Sequence, residues 1–71
     1  MTEPWTYEIE VQGRIGERWA HWFDDMQVTA RGEAQGATTT LAGTVADQAA
    51  LLGLLQKLYT LGLPLLLVQR K

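Results

Sequence analysis

The sequence predicts an α+β domain with its elements in the order β-α-β-β-α-β, and three observations carry that reading. Residues 5–11 alternate strictly between apolar and polar side chains, as a half-buried strand does. Two later stretches repeat apolar residues at spacings of three and four, as amphipathic helices do. Glycine and proline fall between these stretches, where the chain has to turn. With 71 residues there is room for one domain spanning 1–71 and for no second.

Taken in order, Trp5, Tyr7, Ile9 and Val11 are apolar while Thr6, Glu8, Glu10 and Gln12 are polar, which makes the first strand. Gly13 and Gly16 break the pattern and predict a turn. Trp19, Trp22, Phe23 and Met26 then share one face of a short helix of two to three turns, with Arg18, His21 and Asp25 facing outward. Met26, Val28 and Ala30 alternate with polar neighbours, and Ala37 to Val45 is rich in Thr. The pair reads as two strands joined by a polar loop at Gly32–Gly36. Thr44 followed by Asp47 resembles a capping box, with Asp47 a second candidate N-cap. Helix formers run from Gln48 to Leu61. Gly62 suits the left-handed residue beyond a helix end, Pro64 forbids continuation, and Pro64 to Arg70 supplies the last strand. This order is the split βαβ arrangement of ferredoxin-like domains. It predicts a four-stranded antiparallel sheet with its first and third strands central and two helices on one face.

Composition excludes several functions. There is no Cys, Ser or Asn and a single His, so disulfides, thiolate metal sites and most nucleophilic schemes are absent, and no catalytic residue, metal or cofactor is expected. A net charge of −2 with scattered basic residues argues against a nucleic-acid surface. The apolar run from Leu51 to Val68 is interrupted by Gln56, Lys57, two glycines and Pro64, which predicts helix, turn and strand rather than a membrane span. No basic stretch leads into an apolar core at the start, and a cytoplasmic protein is expected.

Three constellations bear on function. Glu17, His21 and Asp25 at four-residue spacing read as a solvated polar face, and Thr38, Thr39 and Thr40 as ordinary strand residues. Gly13-Arg14-Ile15-Gly16-Glu17-Arg18 offers backbone N–H groups and two guanidiniums ahead of a helix, so Gly13, Arg14, Gly16 and Arg18 are candidate anion ligands. The second helix and last strand carry more apolar surface than one sheet face needs. Leu52 and Tyr59 flank the helix stripe, and Leu65 to Val68 is apolar toward both faces, which makes Leu52, Tyr59, Leu65 and Leu67 the candidate interface. Both Leu52 and Tyr59 are expected to be exposed in an isolated subunit.

Two resemblances add to this. Val11-Gln12-Gly13-Arg14 is similar to the end of the first strand and the phosphate loop of acylphosphatases, with Arg18 standing where that family's substrate-binding Arg is expected. That likeness implies a small-anion binder. The family's water-orienting Asn has no counterpart here, so it implies binding without catalysis. Over nearly the whole chain, Trp19-x-x-Trp22-Phe23, Asp47-Gln48-Ala49-Ala50-Leu51-x-Gly53-Leu54-Leu55 and Leu61-Gly62-Leu63-Pro64-Leu65-Leu66 resemble a family of short bacterial proteins that carries no assigned activity, which implies a shared fold. Gly53, costing about 1 kcal/mol in a helix interior, is expected to admit a close backbone approach. Two function classes follow: an interaction module pairing with itself or another protein, and alternatively a small-anion or metabolite binder.

Overall fold

The alternating segment forms β1 (Trp5–Gln12), and its odd residues Tyr7, Ile9 and Val11 are buried. A computed structural model describes residues 4–23, 26–33 and 36–71, leaving aside the side chains of Glu17, Arg18 and Ala20. In it β1 is followed by a 3-10 segment (Glu17–Phe23), β2 (Gln27–Arg31), β3 (Thr38–Val45), α1 (Gln48–Thr60) and β4 (Leu65–Arg70). The four strands form one antiparallel sheet in the order β2-β3-β1-β4, so β1 and β3 are central and β2 and β4 are its two edges.

The longest pairing is β1 with β3, running from Trp5↔Val45 to Gln12↔Thr38. Ile9 and Leu41 face each other across it and both are fully buried. Among the described residues Thr39 is the buried polar exception. Its hydroxyl donates to the Gly13 carbonyl at 2.7 Å, while the Gly13 N–H donates to the Ala37 carbonyl at 2.8 Å. Gly13 sits at φ +99°, a conformation in which a Cβ would be strained, and this fixes the chain as it leaves β1.

α1 starts where capping chemistry predicts: the Asp47 carboxylate accepts from the Ala50 N–H at 2.8 Å. It ends with the Gly62 N–H bonded to the Tyr59 carbonyl and with Gly62 at φ +77°. Leu51 and Leu58, seven residues apart, are its buried residues and belong to one cluster with Tyr7, Ile9, Val11, Phe23, Leu41 and Val45. Gln48 Nε2 donates to the Tyr7 hydroxyl at 3.2 Å, which gives that buried ring's polar end a partner.

The expected pair of helices is corrected: among the described residues there is one α-helix, and the first crossover carries a seven-residue 3-10 segment instead. Two features of the sequence account for this. A span of seven residues is short for an α-helix, and three of its last five residues are aromatic and so carry poor helix propensity. With three residues per turn, positions i and i+3 eclipse, and Trp19 and Trp22 accordingly lie with ring centroids 4.8 Å apart at an interplanar angle of 55°. Asp24 and Asp25 lie outside the described residues. Phe23 still reaches the core, so the segment and α1 cover the same face of the sheet.

The tie between Thr39 and Gly13 joins the end of β1 to β3 in the buried layer. Thr39→Val keeps the shape and removes the hydroxyl, so unfolding in urea should show a loss of about 1–2 kcal/mol.

Candidate interaction surface

β4 is an edge strand whose outward side has no neighbour in the sheet. Leu65, Leu66, Leu67 and Val68 are each between 40% and 52% exposed, so four consecutive large apolar side chains meet solvent. They divide between the two faces. Val68 lies opposite Ile9 on the helix-covered face and Leu67 opposite Glu10 on the open face. The register then shifts between Glu10 and Val11, so that Leu65 faces Val11 and Leu66 is the extra residue of a bulge.

The backbone of β4 points both ways. The Lys71 N–H donates to the Thr6 carbonyl at 2.7 Å, which makes Thr6 and Lys71 a hydrogen-bonded pair at the head of the β1–β4 ladder. Antiparallel pairs alternate, so Leu67 and Gln69 turn their N–H and C=O toward β1, while Val68 and Arg70 turn theirs to the free edge. Side chains secure this end of the strand. The Arg70 guanidinium lies 4.0 Å from the centroid of the Trp5 ring, and Lys71 Nζ is 3.0 Å from Glu8 Oε1.

On α1 the residues outside the core stripe fall on two flanks. Ala50, Gly53, Leu54 and Lys57 line a groove of about 480 Å³ against Trp22, Phe23 and Met26. Lys57 Nζ closes one side by donating to the Trp22 carbonyl at 3.2 Å. At 100° per residue Leu52 and Tyr59 lie on the other flank, and they are 61% and 84% exposed, as expected of them. The tryptophans therefore do not cover that flank. Gly53 corrects an expectation: a Cβ there would meet nothing within 4 Å, so no backbone approaches and the residue opens onto the groove.

In the loop after β1, two of the groups that could donate to an anion take part in the protein's own bonds. The Gly13 N–H is taken by Ala37, and the Arg14 guanidinium donates to the Gly32 carbonyl of the β2–β3 loop. Gly16 accepts from the Trp19 N–H at 3.0 Å. Arg18 belongs to the 3-10 segment, but its side chain lies outside the described residues. Gly13 and Arg14 thus act together as structural ties. The open face of the sheet gathers Glu8, Glu10, Thr29, Arg31 and Thr40 around a shallow polar depression, without aromatic side chains among them. Among the described residues no group of three His, Asp or Glu side chains is placed to hold a metal ion, and no helix is long and apolar enough to cross a membrane.

The burial of β4 was not readable from period alone, because a fully apolar run suits a strand covered on both faces as well as an edge strand. The Arg70–Trp5 contact was missed too. An aromatic at the start of the first strand and a cation at the end of the last were the available signal, given their antiparallel pairing.

Gly53→Ala should raise stability toward urea by roughly 0.5–1 kcal/mol, since the helix gains propensity and the added methyl meets open space.

Residues 6–69 match the family described as Domain of unknown function (DUF8691), and the chain belongs to that family. No curated protein and no solved structure matches it.

Proposed function

We propose that this member of the DUF8691 family is a protein-interaction module that receives a partner along the free edge of β4, with Leu52 and Tyr59 as a second contact on α1. The observation that carries the reading is the run Leu65–Val68, exposed on an edge strand whose Val68 and Arg70 backbone groups are free to pair. Proteins that do not use an edge protect it with short strands, charges or cover. β2, the opposite edge, follows that rule with five residues reading Gln-Val-Thr-Ala-Arg. The one cation of β4, Arg70, sits at its C-terminal end and is stacked on Trp5, and Lys71 just beyond the strand is paired with Glu8, so neither guards the apolar stretch. An added strand would supply main-chain bonds, and the alternating leucines would supply selectivity.

The central placement of β1 and β3, with both crossovers on one face, supports regarding the fold as a ferredoxin-like arrangement with one helix reduced.

A photo-crosslinking residue placed at Leu67, with Val28 on β2 as control, tests the module in cells that express it. Adducts mapped by mass spectrometry should form at Leu67 and be at least tenfold scarcer at Val28, whether the captured chain is a second copy or another protein. Equal yields at the two positions, or none at either, would remove the reading.

A further inference from the structure

We infer that the groove between α1 and the first crossover binds a small amphipathic carboxylate, its apolar tail lying along the helix flank and its carboxylate meeting Lys57. The site is independent of the β4 edge.

The groove has the size and lining of a small-molecule site. Its volume of about 480 Å³ falls within the range of about 300–1,000 Å³ usual for ligand pockets. On α1 it runs from Ala50 past Gly53 to Lys57, which is about 10 Å along the helix axis. Trp22, Phe23 and Met26 make the facing wall. Trp22, Met26 and Leu54 pack on the core but are only half-buried, so apolar surface is left open where the groove runs.

Gly53 keeps that space clear. Glycine weakens a helix interior, and no packed neighbour requires it here, since a Cβ would meet nothing within 4 Å. A long side chain at this position would stand in the groove. An open groove therefore accounts for a residue that neither propensity nor packing explains.

Charge sets which way a ligand lies. At one end Lys57 Nζ gives a hydrogen bond of 3.2 Å to the Trp22 carbonyl, which leaves two of the ammonium's donors. Among the described residues no carboxylate is paired with it, and the ion pair found there joins Lys71 to Glu8. Beyond Ala46 at the other end stands Asp47, whose carboxylate already accepts from the Ala50 N–H. An anion is thus drawn to the Lys57 end and repelled from the Asp47 end. A lone ammonium with two donors suits the single charge and two oxygens of a carboxylate.

The probe is octanoate, titrated below its micelle concentration into the isotopically labelled full chain and followed by NMR. The Trp22 indole N–H and the Gly53 and Lys57 amides should shift and saturate, while the Leu67 and Val68 amides stay in place. Gly53→Leu favours the helix and fills the groove, so affinity should fall at least tenfold while stability toward urea is kept. Lys57→Met keeps the apolar stem and removes the charge: affinity for octanoate should fall at least tenfold, and that for octan-1-ol should change less than twofold. No saturable shift at several millimolar octanoate, equal shifts at Val68, or undiminished binding by Gly53→Leu would overturn the site. Equal losses of octanoate and octanol in Lys57→Met would overturn Lys57 as the carboxylate's partner.

Discussion

Everything in this protein hangs on β1, whose Tyr7, Ile9 and Val11 are buried against a single helix layer while both its edges are paired. One strand therefore joins the two halves of the sheet, through β3 on one side and β4 on the other. The cover over that sheet is small: thirteen residues of α1 and seven of the 3-10 segment. It suffices for the central strands, where Ile9, Val11 and Leu41 are fully buried. It does not extend to the edges, and every residue of β2 and β4 is exposed. A domain of this size gains little from its own core, and association is one way to increase the apolar area withdrawn from water.

The two edges meet that limitation with opposite chemistry. β2 is polar and short, so leaving it uncovered sacrifices little. β4 carries four apolar residues in succession, and its exposure costs hydrophobic free energy that pairing would recover. The contacts of Arg70 with Trp5 and of Lys71 with Glu8 hold the C-terminal end of β4 in the sheet, and the Gln12–Pro64 bond holds its start. β4 is thus fastened at both ends while its outer edge is left open, which is the condition for a strand that serves as a template rather than one that frays.

Much of this architecture was legible in the residues. The alternation of β1, the Asp47 cap, the stop at Gly62 and Pro64 and the two strands around the Gly32 turn all reflect local preferences that tertiary structure left intact. The first crossover was not, because a three-to-four spacing of aromatics is shared by an α-helix and by a 3-10 segment in which Trp19 and Trp22 eclipse. Gly53 misled for a related reason. A helix glycine signals that a side chain is absent, but whether a backbone or empty space lies beyond it is a tertiary fact. The excess of apolar residues at Leu52, Tyr59 and Leu65–Val68 was visible. How Leu65–Val68 divide between the two faces of the sheet depends on the register of β4 with its bulge, which no sequence period encodes.

The most direct test of the account is amide hydrogen exchange followed over a hundredfold range of protein concentration. If β4 is where copies meet, the outward amides of Val68 and Arg70 gain protection as concentration rises, while those of β2 exchange at a constant rate. Exchange at Val68 that is fast and independent of concentration throughout the range would contradict association of copies through this edge.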